Sequence, residues 1–157
     1  MSIVKPNNNT LSAITALPAA ISTGKVLQVV NAKLETEEST TSTSLVSTSL
    51  AASITPSSSS NKVLILINAA AYINTSAKYY YATIYRGSTD LSANNNFSSL
   101  RSNASAVGSA MSLNFLDSPS TTSATTYTYY HKVDSPASGY LAINGYTSTI
   151  SLLEIEA

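Results

Sequence analysis

The amino-acid sequence predicts an all-β protein: a single β-sandwich, jelly-roll-like, of about eight short strands, with an extended N-terminal arm. Stretches of β-branched and aromatic residues recur along the chain, and polar segments rich in Ser, Asn, Gly and Pro separate them. Ser and Thr account for 48 of the 157 residues, and they favour turns and pleated strands over helices. The length suits one domain, and 43% hydrophobic residues are enough for one core.

Residues 1–24 are predicted to form the arm, and residues 25–157 the sandwich. The first ten residues are polar, whereas residues 11–21 are apolar, contain Pro18 and follow neither a helical nor a strand period. Such a segment needs another surface to pack against; a frayed terminus is the alternative interpretation. The apolar side chains available for anchoring are Ile3, Val4, Leu11, Ile14, Leu17 and Ile21.

Eight segments are predicted as strands because they combine apolar residues with β-branched or aromatic ones. They are residues 26–30, 40–54, 62–71, 79–86, 111–115, 127–133, 140–143 and 147–156. The segment Lys62–Ala71 is the most apolar, and because both of its faces are apolar we expect it to be buried on both sides. Residues 90–108 are polar and predict a long loop with one short strand.

Local turn signals separate the later strands. Two Asp-Ser-Pro sequences, at 117–119 and 134–136, predict turns in which the Asp side chain accepts a hydrogen bond from the backbone two residues on. Asn144-Gly145 lies between the last two predicted strands, and Asn-Gly is a strong hairpin signal. The sequence therefore predicts that these two strands form a hairpin.

The composition argues against several classes of function. The chain has no Cys, which excludes disulfides, zinc-thiolate sites and cysteine nucleophiles. Eight basic and eight acidic residues give a net charge of zero, which argues against a nucleic-acid partner, and no basic pattern for a membrane surface is present. The longest apolar run, Val63–Ile67, is too short to span a bilayer. A net charge near zero favours association, which indicates an assembled protein.

Candidate catalytic residues are few. A Ser-His-Asp triad would need His131, the single histidine, with Asp117 or Asp134 as its orienting carboxylate. We favour the alternative, a surface or interface histidine on a Tyr-rich strand, because no Gly-x-Ser-x-Gly sequence is present. The acidic residues are predicted to be solvated or turn residues and not paired glycosidase carboxylates. They are Glu35, Glu37, Glu38, Asp90, Asp117, Asp134, Glu154 and Glu156. The sequence predicts no enzyme, no cofactor and no metal.

Ten tyrosines are the least usual feature of the composition. Tyr is favoured at protein interfaces, so the tyrosines predict a contact between subunits; packing at the rims of the sandwich is the alternative. Glycan binding is a third interpretation, which the absence of Trp weakens. The candidates for a trimer interface are Tyr79, Tyr81, Tyr127 and Tyr129.

Five groups of residues, in order along residues 14–157, resemble landmarks in a set of virion proteins of tailed bacteriophages, many of them from marine and cyanobacterial phages. They are Ile14–Pro18 with Thr23–Val30, Thr55–Leu64, Tyr85–Thr89, Leu116–Pro119 with Thr125–Tyr127, and Ile150–Ile155. The resemblance implies a non-enzymatic structural protein exposed on the virion, with a trimeric jelly roll as the expected form. Such domains are often described as tail fibres, but 24 residues reach at most about 80 Å and cannot build a shaft.

Two functions are compatible with this resemblance. The first is a homotrimeric decoration or cement protein, made in the cytoplasm of the host bacterium, whose arm anchors it to the phage major capsid protein at the virion surface. The second is a tail-fibre or spike module that joins tail proteins and binds a host-surface glycan through loops at 90–108 or 118–124. An enzyme, a polysaccharide depolymerase that uses Asp117 or Asp134, is a third class.

Overall fold

The computed structural model describes residues 25–93, 95–103 and 105–157, which form two antiparallel β-sheets packed face to face. The fold is all-β, as predicted. One 3₁₀ turn, Ile143–Gly145, is the only helical element among the described residues, and no helix there could span a membrane. The strands are β1 (Val26–Leu34), β2 (Glu38–Thr40), β3 (Val46–Ile54), β4 (Lys62–Ile73), β5 (Tyr79–Arg86), β6 (Thr89–Asp90), β7 (Ser98–Arg101), β8 (Val107–Asp117), β9 (Thr125–Val133), β10 (Gly139–Leu141) and β11 (Ser148–Ile155).

The strands are divided between the two sheets as in a jelly roll. In the first sheet, called sheet A, β11 lies between β1 and β4, and β8 pairs with the opposite edge of β4. In sheet B the order is β3, β9, β5, and β7 pairs with β5. The eight longest strands, in chain order, are β1, β3, β4, β5, β7, β8, β9 and β11. When they are numbered one to eight in that order, their spatial order is 1–8–3–6 in sheet A and 2–7–4–5 in sheet B. This is the jelly-roll topology, and it confirms the predicted sandwich of about eight strands.

The core lies between the sheets, and the strand period of two decides which side chains enter it. On β9 every second residue from Tyr127 to Val133 is buried, so the predicted shared face of this strand points inward. On β4 the buried residues are Val63, Ile65, Ile67, Ala69, Ala71 and Ile73. The largest core side chains come from sheet B, where Tyr80, Tyr127 and Tyr129 have no exposed surface.

The prediction that Lys62–Ala71 is buried on both sides is wrong. Only the inner face of β4 is buried, whereas Leu64 is partly exposed and Leu66 is 41% exposed on the outer face of sheet A. An antiparallel sheet commonly has one face against the core and the other exposed. The apolar outer face therefore needs an explanation other than the core.

The predicted final hairpin is also wrong. β10 and β11 do not pair with each other; both are antiparallel to β4, at Ala71–Ile73 and at Lys62–Asn68. They therefore run in the same direction along one edge of β4. Asn144 and Gly145 do form a turn, with φ of 53° and 76°. This turn connects β10 to β11, which lie one after the other along the same edge of β4.

Both Asp-Ser-Pro sequences lie at the end of a strand, but their Asp side chains do not act as predicted. The residue two positions on is Pro, which has no N–H to donate. Asp117 instead accepts hydrogen bonds from the Arg86 guanidinium, 2.8 Å to each carboxylate oxygen, and from the Tyr127 hydroxyl at 2.7 Å. Asp134 accepts a bond from the backbone N–H of Tyr79 at 3.1 Å. Each side chain therefore binds another strand.

Candidate interaction surfaces

His131 lies in the core and is 2% exposed, so it is not a surface or interface histidine. Its Nδ1 lies 2.8 Å from the Tyr80 hydroxyl, which accepts a hydrogen bond from Tyr129 at 3.3 Å. Burial lowers the pKa of His131 from 6.5 to about 4, so the ring is neutral at pH 7. The carboxylates of Asp117 and Asp134 bind other strands, so these residues do not form a triad with His131.

Glu154 is 1% exposed, so the prediction that it is solvated is wrong. Its Oε1 accepts hydrogen bonds from the backbone N–H and hydroxyl of Ser57, both at 2.7 Å, and from Asn61 Nδ2 at 2.6 Å; its Oε2 accepts one from Gln28 Nε2 at 2.6 Å. Burial acts to raise the pKa of Glu154, but the bonds from Asn61, Gln28 and Ser57 outweigh it and lower the pKa from 4.5 to about 2. The carboxylate therefore joins β1, β11 and the turn before β4. In the described part of the chain, no cluster of His, Asp and Glu could hold a metal ion.

Acid should weaken the fold through this carboxylate. Because the pKa of Glu154 is lower in the folded protein, its stabilisation is complete above about pH 4.5 and is lost as pH falls towards 2. Glu154→Gln should cost about 1–3 kcal/mol at pH 7, since its amide group faces a donor, and the difference from wild type should shrink on acidification. Denaturant unfolding from pH 7 to 2 measures both effects. Glu156→Gln is the control, because the Glu156 carboxylate forms an exposed ion pair, 3.5 Å from the Lys25 ammonium. A cost of Glu154→Gln that is the same at both ends of the pH range would contradict this account.

The structure separates the four tyrosines predicted at a trimer interface into two pairs. Tyr127 and Tyr129 are fully buried within one chain, so their side chains cannot contact another subunit, and this part of the prediction is wrong. The rings of Tyr79 and Tyr81 lie half-buried on the outer face of sheet B and stack with centroids 5.5 Å apart. The Arg101 guanidinium lies 5.5 Å from the centroid of Tyr79, and the ammonium of Lys132 lies 5.2 Å from that of Tyr81. This pair is available for contact.

The outer face of sheet A contains a line of aliphatic side chains that sequence reasoning missed. Val29 pairs with Leu153, Leu153 with Leu64, and Leu64 with Leu116, so the four lie in register across β1, β11, β4 and β8. We call these four side chains the apolar row. Val29 is 61% exposed and Leu116 is 48% exposed. The next row along the sheet is Asn31, Ser151, Leu66 and Asn114, which is mostly polar.

The apolar row begins four residues after Lys25, the first described residue. The anchoring candidates Ile3, Val4, Leu11, Ile14, Leu17 and Ile21 lie outside the described residues. The segment that contains them joins the sandwich at β1, which is the strand of Val29.

No protein-family model matches the chain, and no curated protein sequence matches it either. Among solved structures, the chain is similar to a mutant VP2 protein of infectious bursal disease virus from derived T=1 particles, with a TM-score of 0.39, 11% identity, and coverage of 90% of this chain and 40% of that chain. It is also similar to the structure of infectious bursal disease virus Gx strain, with a TM-score of 0.35, 14% identity, and coverage of 83% and 37%. The chain thus spans about two fifths of the length of these viral chains.

Proposed function

We propose that the protein is a non-enzymatic structural protein of a bacteriophage virion, a homotrimeric decoration or cement protein that docks on the major capsid protein through residues 1–24. The observation on which the proposal rests is the apolar row beside the junction of those residues with β1. Contiguous apolar surface outside a core marks interaction sites. The resemblance to phage virion proteins and the jelly-roll topology are compatible with this function.

In this proposal the capsid protein binds the arm and the apolar row together, because the row lies close to the point where the arm is connected to β1. Val29 is four residue steps along the chain from Lys25, about 13 Å if extended, and the row extends about 14 Å across four strands. The capsid protein that binds the arm then covers the row as well. Three arms in one trimer increase the avidity without requiring a strong single contact.

The trimer contact is proposed at Tyr79 and Tyr81. Aromatic side chains and Arg are enriched in the buried centres of interfaces, and Arg101 lies over one of these two rings. The rings and their cations lie on sheet B, whereas the apolar row lies on sheet A. Self-association and docking therefore use different faces of the sandwich.

Counting the protein on intact particles tests the proposal. Particles purified from a lysed host culture should contain hundreds of copies, measured by quantitative mass spectrometry against the major capsid protein. About a dozen copies would overturn the decoration function in favour of a tail component, and absence from the particles would overturn a virion function.

The variant Leu116→Asp tests the role of the apolar row. It should release the protein from the particles, because docking would bury a charge, while native mass spectrometry still gives a trimer. Asn114→Asp is the matched control, since it adds the same charge at the next outward-facing position of β8 and should leave the copy number unchanged. Equal retention of the two variants would exclude the row from docking.

A further inference from the structure

A groove of about 520 Å³ lies on the outer face of sheet A, away from the apolar row. Its floor is formed by Ala70 on β4 and by Gly108 and Ala110 on β8, where Ala70 is paired with Ala110. Gly and Ala are the smallest residues, so an open space remains above these strands that longer side chains would fill. The floor at Ala70 lies six residues along β4 from Leu64, about 20 Å. The groove is therefore a separate surface from the one proposed for docking.

Two tyrosines line this groove. Tyr72 lies on β4, two residues after Ala70, and packs edge-to-face against Tyr140, with ring centroids 5.7 Å apart. Tyr146 is 65% exposed, and its neighbours Gly145 and Thr147 are exposed as well. Exposed aromatic surface beside a concave floor gives a ligand large, flat contacts at little cost in side-chain entropy.

The segment that presents Tyr146 forms hydrogen bonds with the loop between β1 and β2. Ala142 and Asn144 have φ of 53°, a left-handed conformation that is costly for Ala, and such strain persists only where the surroundings impose it. The backbone N–H of Asn144 donates to Glu37 Oε2 at 3.1 Å, and the Thr147 hydroxyl donates to Glu35 Oε1 at 3.2 Å. The acidic residues between β1 and β2 therefore hold the segment in place.

The chemistry of the lining points to an uncharged ligand that has both apolar faces and hydroxyl groups. The exposed lining is mostly apolar. Asn68 and Asn144 add amide groups, and the hydroxyls of Ser109 and Thr147 can accept hydrogen bonds; none of the described lining residues is Lys, Arg, Asp or Glu. The negative face of an aromatic ring attracts the polarised C–H groups of a sugar ring. The volume lies within the range of small-molecule sites. We infer that this groove binds a neutral oligosaccharide.

This inference does not depend on the proposed function, because it concerns a different part of sheet A. It also differs from the loops predicted for glycan binding: among the described residues of 90–108 and 118–124, only Gly108 lines the groove. The result of the sugar-binding test is therefore independent of whether the protein is found on virions.

The experiment screens the purified protein against short neutral oligosaccharides of glucose, galactose, mannose and N-acetylglucosamine by saturation-transfer NMR, then measures the dissociation constant of the best binder by calorimetry. Tyr146→Ala should weaken binding by about tenfold or more, whereas Tyr146→Phe should retain it, because the ring provides the contact. Ala110→Leu should abolish binding by filling the floor. Asn114→Leu, on the same outward face of β8 but outside the groove, is the control.

Two outcomes would overturn the inference: the wild type binds none of the sugars, or binding is unchanged in both Tyr146→Ala and Ala110→Leu. If no sugar binds and these two variants change the oligomeric mass, the groove is a contact with a second copy of the chain. The substituted side chains are exposed, so an unchanged unfolding midpoint should accompany each variant and exclude misfolding as the cause.

Discussion

Gly139→Ala should lower the free energy of unfolding by about 2–3 kcal/mol. A Cβ at this position would lie 2.5 Å from Cδ2 of Tyr80 and 2.6 Å from Cγ1 of Val133. Neither neighbour has room to move: Tyr80 is fully buried and bound to His131, and Val133 is 1% exposed. Gly139 belongs to sheet A and these neighbours to sheet B, so the extra methyl group would push the two sheets apart.

The measurement for Gly139→Ala is denaturant or thermal unfolding, where the midpoint should fall by about 5–10 °C. Gly108→Ala is the matched control, since it is also a strand glycine of sheet A. Its Cβ would meet its nearest neighbour, Cδ2 of Tyr72, at 3.4 Å, and the position is exposed. Its midpoint should change little. If Gly139→Ala unfolds at the wild-type midpoint, the sheets do not approach each other as closely as the structure shows.

Asp117→Asn should cost about 2–4 kcal/mol. Asp117 is 6% exposed and links the two sheets, because it belongs to β8 of sheet A while its donors, Arg86 and Tyr127, belong to β5 and β9 of sheet B. The amide keeps the shape of the side chain but removes the charge that pairs with Arg86. It also places an N–H₂ group opposite groups that already donate.

Two variants serve as comparisons for Asp117→Asn. Tyr127→Phe removes one hydrogen bond of the same cluster and should cost about 1 kcal/mol. Asp134→Asn makes the same chemical change in the other Asp-Ser-Pro sequence, where the half-buried carboxylate accepts one backbone hydrogen bond, from Tyr79, and should cost less. Guanidinium unfolding of the four proteins measures these differences. A cost of Asp117→Asn no greater than that of Asp134→Asn would show that the link between the sheets contributes little.

This role of Asp117 also affects any test of the depolymerase hypothesis. A loss of activity in Asp117→Asn would follow from a weakened sandwich as readily as from a lost catalytic group. Asp134→Asn is therefore the more informative variant, provided that its unfolding midpoint is measured beside its activity.

The strands of the sandwich could be predicted from sequence, but some of their partners could not. The segment 79–86 has the predicted bounds, and the apolar segment at 62–71 is part of β4. The Asn144-Gly145 signal reports only a local turn, whereas the position of β11 depends on its pairing with residues 62–68 of β4 and with β1. Long-range pairing of this kind leaves no trace in a local pattern.

The interaction surfaces were harder to predict, for two reasons. Alternation shows which residues share a face of a strand but not which face points inward, so Tyr127 and Tyr129 could not be distinguished from Tyr79 and Tyr81. A strand that is apolar on both faces has the same pattern whether its second face is covered within the chain or by a partner, so Leu64 gave no sign of its exposure. The groove depends on Ala70 and Ala110 being neighbours, which only the register of β4 and β8 determines.

The position of β11 near the end of the chain also determines when sheet A can form during synthesis. Among the described strands, β1 pairs only with β11, about 120 residues later in the chain. Until residues 148–155 have left the ribosome, β1 has no neighbour in sheet A and the apolar row lacks Leu153. Such distant pairings form slowly compared with local ones. The nascent chain therefore completes the apolar row only after almost all of the sandwich has been translated.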